Sequence, residues 1–289
     1  MDKTTSGWIN GLTGVVIFAG SLPATRAAVT GFAPLFLTGA RASIAALLAL
    51  ALLLALRQPR PRAADAPALA LSALGVVAGF PLLTALALQR MTAAHSIVWL
   101  GLLPLCTAAF AVLRAAERPR APFWLFSLAG AACVSGYAAA AGGAGASLEG
   151  DGLMLAAVIV CGMGYAEGGR LARKLGGWQV ICWSLLLALP VMLPLALLTR
   201  PASWRHIGAP AWLGLGYVAL FSMLLGFVFW YRGLAQGGIA AVGQLQLLQP
   251  FMGLGLAALL LGESVSAGML LATLAAAVCV AGARRFGYR

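Results

Sequence analysis

A run of about 20 apolar residues, the length that carries a helix across a hydrocarbon core of about 30 Å, recurs ten times along this chain with only short breaks between copies. The runs lie approximately at 9–28, 33–56, 66–88, 92–113, 122–142, 152–172, 178–199, 209–231, 239–261 and 265–283. With 62% hydrophobic and 9% charged residues, 289 residues cannot cover a core with a water-soluble surface. In lipid every backbone N–H and C=O must be satisfied internally, which leaves helices or a closed barrel. Barrel strands alternate apolar and polar residues, whereas these runs are continuous Ala, Leu and Val. The expected fold is therefore an all-α membrane protein with ten transmembrane helices. The first run follows a single lysine and has no small-residue cleavage site before the next run, so no removable signal peptide is expected.

The net charge of +12 must be placed relative to the helices before it is read. With the N-terminus inside, the cytoplasmic segments hold Lys3, Arg57, Arg60, Arg62, Arg114, Arg118, Arg120, Arg170, Arg173, Lys174, Arg232, Arg284, Arg285 and Arg289. The outer segments hold only Arg26, Arg90, Arg200 and Arg205, and Arg41 lies inside the second run. Positive residues favour the cytoplasmic side, so a multi-pass protein of a bacterial inner membrane with both termini cytoplasmic is expected. The basic residues then meet anionic lipid rather than nucleic acid. The five cysteines all fall within apolar runs, without C-x-x-C spacing or a histidine pair, and read as packing residues. No metal and no cofactor is expected.

Sliding the chain by 146 residues without a gap superposes Leu86 to Tyr137 on Arg232 to Ala283 and aligns Pro104 with Pro250, Glu117 with Glu263, Cys133 with Cys279 and Gly136 with Gly282. A weaker echo links VIFAG at 16–20 with VIVCG at 158–162. Five helices per copy turns the second copy upside down, so the expected organisation is two inverted five-helix repeats, 1–145 and 146–289. Such repeats let a central site face either side in turn.

The segments LLPLCTAAFAVLRAAER (102–118) and LLQPFMGLGLAALLLGES (247–264) carry a mid-helix proline, Pro104 or Pro250, expected like Pro23 to break its helix and followed 13 residues later by a glutamate, and TGARASIAAL (38–47) carries Arg41. In these features, and in FAGSLPATR (18–26), the chain resembles the EamA type of the drug/metabolite transporter superfamily, over nearly its whole length. The first-helix segment departs from the pattern, with Phe18 and Ala19 where relatives have Trp-Gly. The resemblance implies a ten-helix carrier that exports small organic solutes, and more narrowly one similar to the YddG-type exporters of aromatic and other neutral amino acids.

The residues themselves point to a site in the ninth run, where QLQLLQP (244–250) places three amides and a proline near the middle of a bilayer. At 100° per residue, Gln246 and Gln249 share one face and Gln244 points away. Pro250 lacks the N–H that would bond the Gln246 carbonyl, so a local break offering amides and a free carbonyl is expected. Glutamines bonded to neighbouring helices, with the proline merely bending this one, is the competing reading. In the fourth helix His95 and Trp99, four residues apart, share a face that suits a carboxylate beside an apolar side chain. Ser21 beside Pro23, Tyr165, Phe227 and Trp230 complete the expected lining, although aromatics near helix ends also serve as interfacial anchors.

Glu167 is the acidic residue inside a helical run, about a turn from its cytoplasmic end, with Arg170 placed to pair with it. It is the candidate for proton coupling, against which stands transport down the solute gradient. Glu117 and Glu263 fall at helix ends as structural groups. Arg41 is expected to meet backbone carbonyls or lipid phosphate, with a counter-ion role open. The histidines His95 and His206 come without a catalytic set, and no filter or charged ring marks a channel, so enzyme and channel readings rank below a carrier. The expected partners are a small-molecule substrate, an amino acid or related metabolite, and the lipid bilayer, with the monomer as the working unit. Efflux of another metabolite or a drug is the alternative.

Overall fold

The computed structural model describes residues 2–91, 96, 99–141, 147–261 and 267–287. His95 and Glu263 lie outside these residues. Among the described residues all regular structure is helical and falls into ten apolar segments. Six are long and apolar enough to cross a membrane: α1 (Lys3–Ala28), α2 (Pro34–Ala55), α3 (Ala63–Ala87), α6 (Leu148–Leu175), α7 (Gly177–Leu198) and α8 (Ala209–Gly237). The others are α4 (Leu103–Ala115), α5 (Ala121–Ala141), α9 (239–261) and α10 (Ala267–Phe286). The Arg284 guanidinium lies 5.0 Å from the centre of the Trp8 ring, which puts the start of α1 and the end of α10 at one end of the bundle.

Helices in lipid gain little from the hydrophobic effect and associate by close packing of small residues. Here α1 lies on α8: a Cβ on Gly7 would come within 2.4 Å of the Gly237 nitrogen, and one on Gly11 within 2.5 Å of Val242 in the adjoining α9. Similarly α6 lies on α3, where a Cβ on Gly75 would fall 2.7 Å from the Gly164 Cα. Gly75 is thus a close-packing position. Helix α2 packs on α7 and α5 on α10, through Gly39 against Ala196 and Gly282 against Phe126. Turns with almost no length join α6 to α7 and α8 to α9, because Gly176 and Gly238 adopt φ of 95° and 84°, values that an L side chain resists.

Three of the helices are irregular where the sequence placed polar or proline residues. Helix α1 breaks at Gly20 into Lys3–Ala19 and Ser21–Ala28, and Pro23 leaves the Ala19 carbonyl without its usual helical donor. Helices α3 and α8 each contain a π-helical stretch, Ala73–Gly79 and Val218–Leu225, at positions that match to within a residue under the 146-residue shift. Helix α9 starts as a single turn at Ile239–Gly243, tightens to 3₁₀ over Gln244–Leu248 and resumes at Gln249, so the expected break is present. Pro104 and Pro250 stand not in mid-helix but in the first turn of a helical section, where a missing N–H costs nothing.

Candidate functional site

The irregular stretches of α1, α3, α8 and α9 converge on a cavity in the half of the bundle away from the chain termini. Its wall includes Phe18, Ser21 and Thr25 of α1, Arg41 of α2, Phe80 and Thr84 of α3, Tyr165 of α6, Ser222 and Phe227 of α8, and Gln249 of α9. About 40 Å³ is open to the centres of water molecules. Ligand pockets run to about 300 Å³ and more, so the wall must part before a metabolite can enter.

Polar and aromatic groups divide this wall. Arg41 is 7% exposed, and its Nη2 donates to the Ser222 hydroxyl at 3.2 Å. Ser21 donates to the same hydroxyl at 2.8 Å. The Arg41 Nε has no acceptor, and no carboxylate pairs with Arg41 among the described residues. Arginine keeps its proton under all ordinary conditions, so the cavity holds a fixed positive charge answered, among the described residues, only by hydroxyls. Opposite, Phe18 and Phe227 stand 5.0 Å apart, and Tyr165 lies 5.9 Å from Phe227. The breaks in α1 supply further polar anchors: the Ile17 carbonyl accepts from Tyr217 at 2.7 Å and the Phe18 carbonyl from the Gln249 amide at 3.3 Å.

Of the residues expected from sequence, Ser21, Tyr165, Phe227 and Gln249 meet at this cavity. Gln246 does not line it: its amide is 3% exposed and lies near the Tyr165 hydroxyl. Nor is the Gln246 carbonyl free, because the 3₁₀ turn lets it accept from the Gln249 N–H. Trp230 is fully buried under the cavity floor, 5.3 Å from Tyr165 and 6.1 Å from Phe18. Trp99 turns its indole N–H to the Asp151 carboxylate at 2.7 Å. Arg41 faces the cavity rather than lipid. Arg41 was legible as a basic residue well inside an apolar run, away from its ends, whereas nothing in the sequence marked Ser222.

The floor of the cavity is closed toward the end with the termini. Tyr231, fully buried, shares a hydrogen bond of 2.8 Å with Ser72 and donates to the Gly164 carbonyl at 3.3 Å. Below it α6 runs on to Leu175, so Glu167 lies two turns from the helix end rather than one. Its side chain is wholly buried and is held by Arg114 of α4 and by Arg170, whose Nη2 is 2.7 Å away. The expected Arg170 pair is thus present, joined by Arg114. Glu117 accepts from the Ile239 and Ala240 N–H groups at 2.9 and 2.8 Å, capping α9, and pairs with Arg173. Lys174 reaches Asp65 of α3 at 2.7 Å. Helices α3, α4, α6 and α9 are thereby tied together at this end by charges on α6, Asp65 of α3, Arg114 of α4 and Glu117 just beyond it.

The sequence profile of the EamA-like transporter family matches residues 5–137 and again residues 148–284. The chain is 62% identical over 286 residues to a protein of Bacillus subtilis (strain 168) described as an uncharacterized transporter, YdeK, with 99% of each chain covered. It is 26% identical over 266 residues to a probable terminal-alkyne amino-acid exporter of Streptantibioticus cattleyicolor, covering 91% of this chain and 88% of that one. A solved structure described only as the crystal structure of a protein shares the fold, with a TM-score of 0.80 at 20% identity over 96% of this chain and 98% of that one. By family and by architecture, this chain belongs to the EamA-like transporters of the drug/metabolite transporter superfamily and is a multi-pass membrane transporter, not an enzyme.

Proposed function

We propose that the chain exports small organic solutes bearing a carboxylate beside an apolar or aromatic group, aromatic and other neutral amino acids among them. The observation that carries this reading is Arg41, buried in the cavity wall with no carboxylate partner among the described residues. A buried charge without a partner is costly, and an arginine fork matches a carboxylate in geometry as well as charge. The aromatic wall of Phe18, Tyr165 and Phe227 would receive the side chain. A cationic drug would meet Arg41 with like charge. The probable exporter from Streptantibioticus, a distant relative, is named for an amino-acid cargo and supports the same class.

In this reading the carrier works by alternating access between two inverted repeats, 1–145 and 146–289, as a monomer in a bacterial inner membrane with both termini in the cytoplasm. The double match of the family profile, the paired π-helical stretches and the corresponding packing of α1 on α8 and α6 on α3 support the repeat arrangement. The ionic ties around α6 serve as the cytoplasmic gate. Glu167, held by two arginines, acts in that gate rather than as a proton carrier.

The test is counterflow in proteoliposomes with labelled phenylalanine, tryptophan, leucine, threonine and glutamate, against protein-free vesicles, with and without a proton gradient. Saturable flux of the neutral amino acids, indifferent to the gradient and lost in Arg41→Gln, is expected. Absence of flux for every one of them overturns the reading.

A further inference from the structure

The charges around the cavity do not balance for an amino acid. The described acidic residues are all engaged elsewhere: Asp2 caps α1 through the Thr5 N–H, Asp65 holds Lys174, and Glu149 holds Arg90. Asp151 accepts from Trp99, and Glu117 and Glu167 are bound to arginines at the end with the termini. None of them lines the cavity. Glu263 lies outside the described residues. Among the described residues, the other polar side chains of the cavity wall are the neutral ones of Ser21, Ser222, Thr25, Thr84, Tyr165 and Gln249.

A zwitterion in this cavity satisfies Arg41 with its carboxylate and leaves its own ammonium as the unanswered charge. The imbalance has only moved. A monocarboxylate closes the pair at net zero and presents nothing but apolar surface to Phe18, Phe80 and Phe227. From this geometry, and resting on the carboxylate role of Arg41 given above, we infer that the preferred cargo is a net-negative monocarboxylate with an aromatic or apolar group, exported on the membrane potential without a co-transported ion. The loaded site crosses the membrane neutral, and the empty positive site returns toward the negative interior. Each cycle thus carries one negative charge outward, and a potential of 100 mV sustains a gradient of about 50-fold. A zwitterion cycle moves no net charge, because the site carries the same charge in both directions. This energy source requires no titratable acid in the cavity, in keeping with its lining among the described residues.

The experiment loads proteoliposomes at pH 8 with labelled phenylpyruvate or labelled phenylalanine and imposes an inside-negative potential with a potassium gradient and valinomycin. Protein-free vesicles and Arg41→Gln vesicles supply the leak. Phenylpyruvate is expected to leave with a kcat/KM about tenfold above that of phenylalanine and to reach an outward gradient approaching 50-fold at 100 mV, while the phenylalanine distribution ignores the potential. Phenylpyruvate flux no better than that of phenylalanine, or indifferent to the potential, overturns the inference. Should phenylalanine alone move saturably, the inference falls and the amino-acid reading stands. Should neither solute move above leak, both fall.

Discussion

Glu167→Gln tests the gate. Both carboxylate oxygens of the buried Glu167 are engaged: Oε1 accepts from the Arg114 Nε, and Oε2 accepts from Arg170 at 2.7 and 3.1 Å. Glutamine keeps one acceptor and points an NH₂ group at the other arginine. Hydrogen bonds to charged groups contribute about 1.5–3 kcal/mol each. The two arginine side chains are 48% and 41% exposed, so water takes up much of what they lose, and the net change is about 2 kcal/mol. If the tie between α4 and α6 exists only while this end is closed, that energy moves the equilibrium toward the open state about 30-fold. The assay is the labelling rate of a Ser72→Cys probe by an impermeant maleimide added from the side of the termini, in a background lacking Cys106, Cys133, Cys161, Cys182 and Cys279. Ser72 is fully buried beneath the cavity, so its labelling reports opening. An unchanged rate in a correctly folded Glu167→Gln protein refutes the gate. So does wild-type flux that requires a proton gradient and becomes independent of it in the variant.

Other outcomes follow from the same geometry. Joint substitution of Gln246 and Gln249 by leucine abolishes transport without unfolding, as read by counterflow and by size-exclusion profile. Gln249→Leu alone reproduces most of the loss because Gln249 lines the cavity and bonds α1. Gly7→Leu drives a side chain into the Gly237 backbone and costs about 3 kcal/mol, seen as loss of the monodisperse peak, whereas Gly216→Ala, with nothing within 4 Å of the new Cβ, leaves it intact.

How much of this was legible in the sequence depends on what lipid enforces. The apolar runs were legible because a membrane accepts only segments that satisfy their own backbones. Their ends were less so: α6 extends to Leu175 because Arg170, Arg173 and Lys174 find acidic partners there. The π-helical stretches in α3 and α8 shift hydrogen-bond register without changing composition, so neither they nor the exposure of Ser222 to the cavity could be read. Gln246 and Gln249 were read onto one face, a relation that a 3₁₀ turn at about 120° per residue keeps; that Gln246 packs near Tyr165 while Gln249 reaches the cavity depends on the neighbouring helices. Trp99 was grouped with His95 by spacing, yet its indole found Asp151 on another helix. Arg41 stood out as a charge inside an apolar run, while its direction depended on how α2 packs against α7 and α8.

The most direct test of the central claim, that Arg41 holds a solute carboxylate, is equilibrium binding of phenylalanine and phenylalaninamide to the wild-type protein, Arg41→Lys and Arg41→Gln. A bidentate charge-assisted contact contributes about 2–3 kcal/mol, so Arg41→Gln should weaken phenylalanine binding about 50-fold. Arg41→Lys should restore part of that loss, and the amide, which keeps the ammonium but lacks the carboxylate, should bind weakly to the wild-type protein and to Arg41→Lys and lose nothing in Arg41→Gln. Phenylalanine binding of equal strength to the wild-type protein and a well-folded Arg41→Gln variant would contradict the claim.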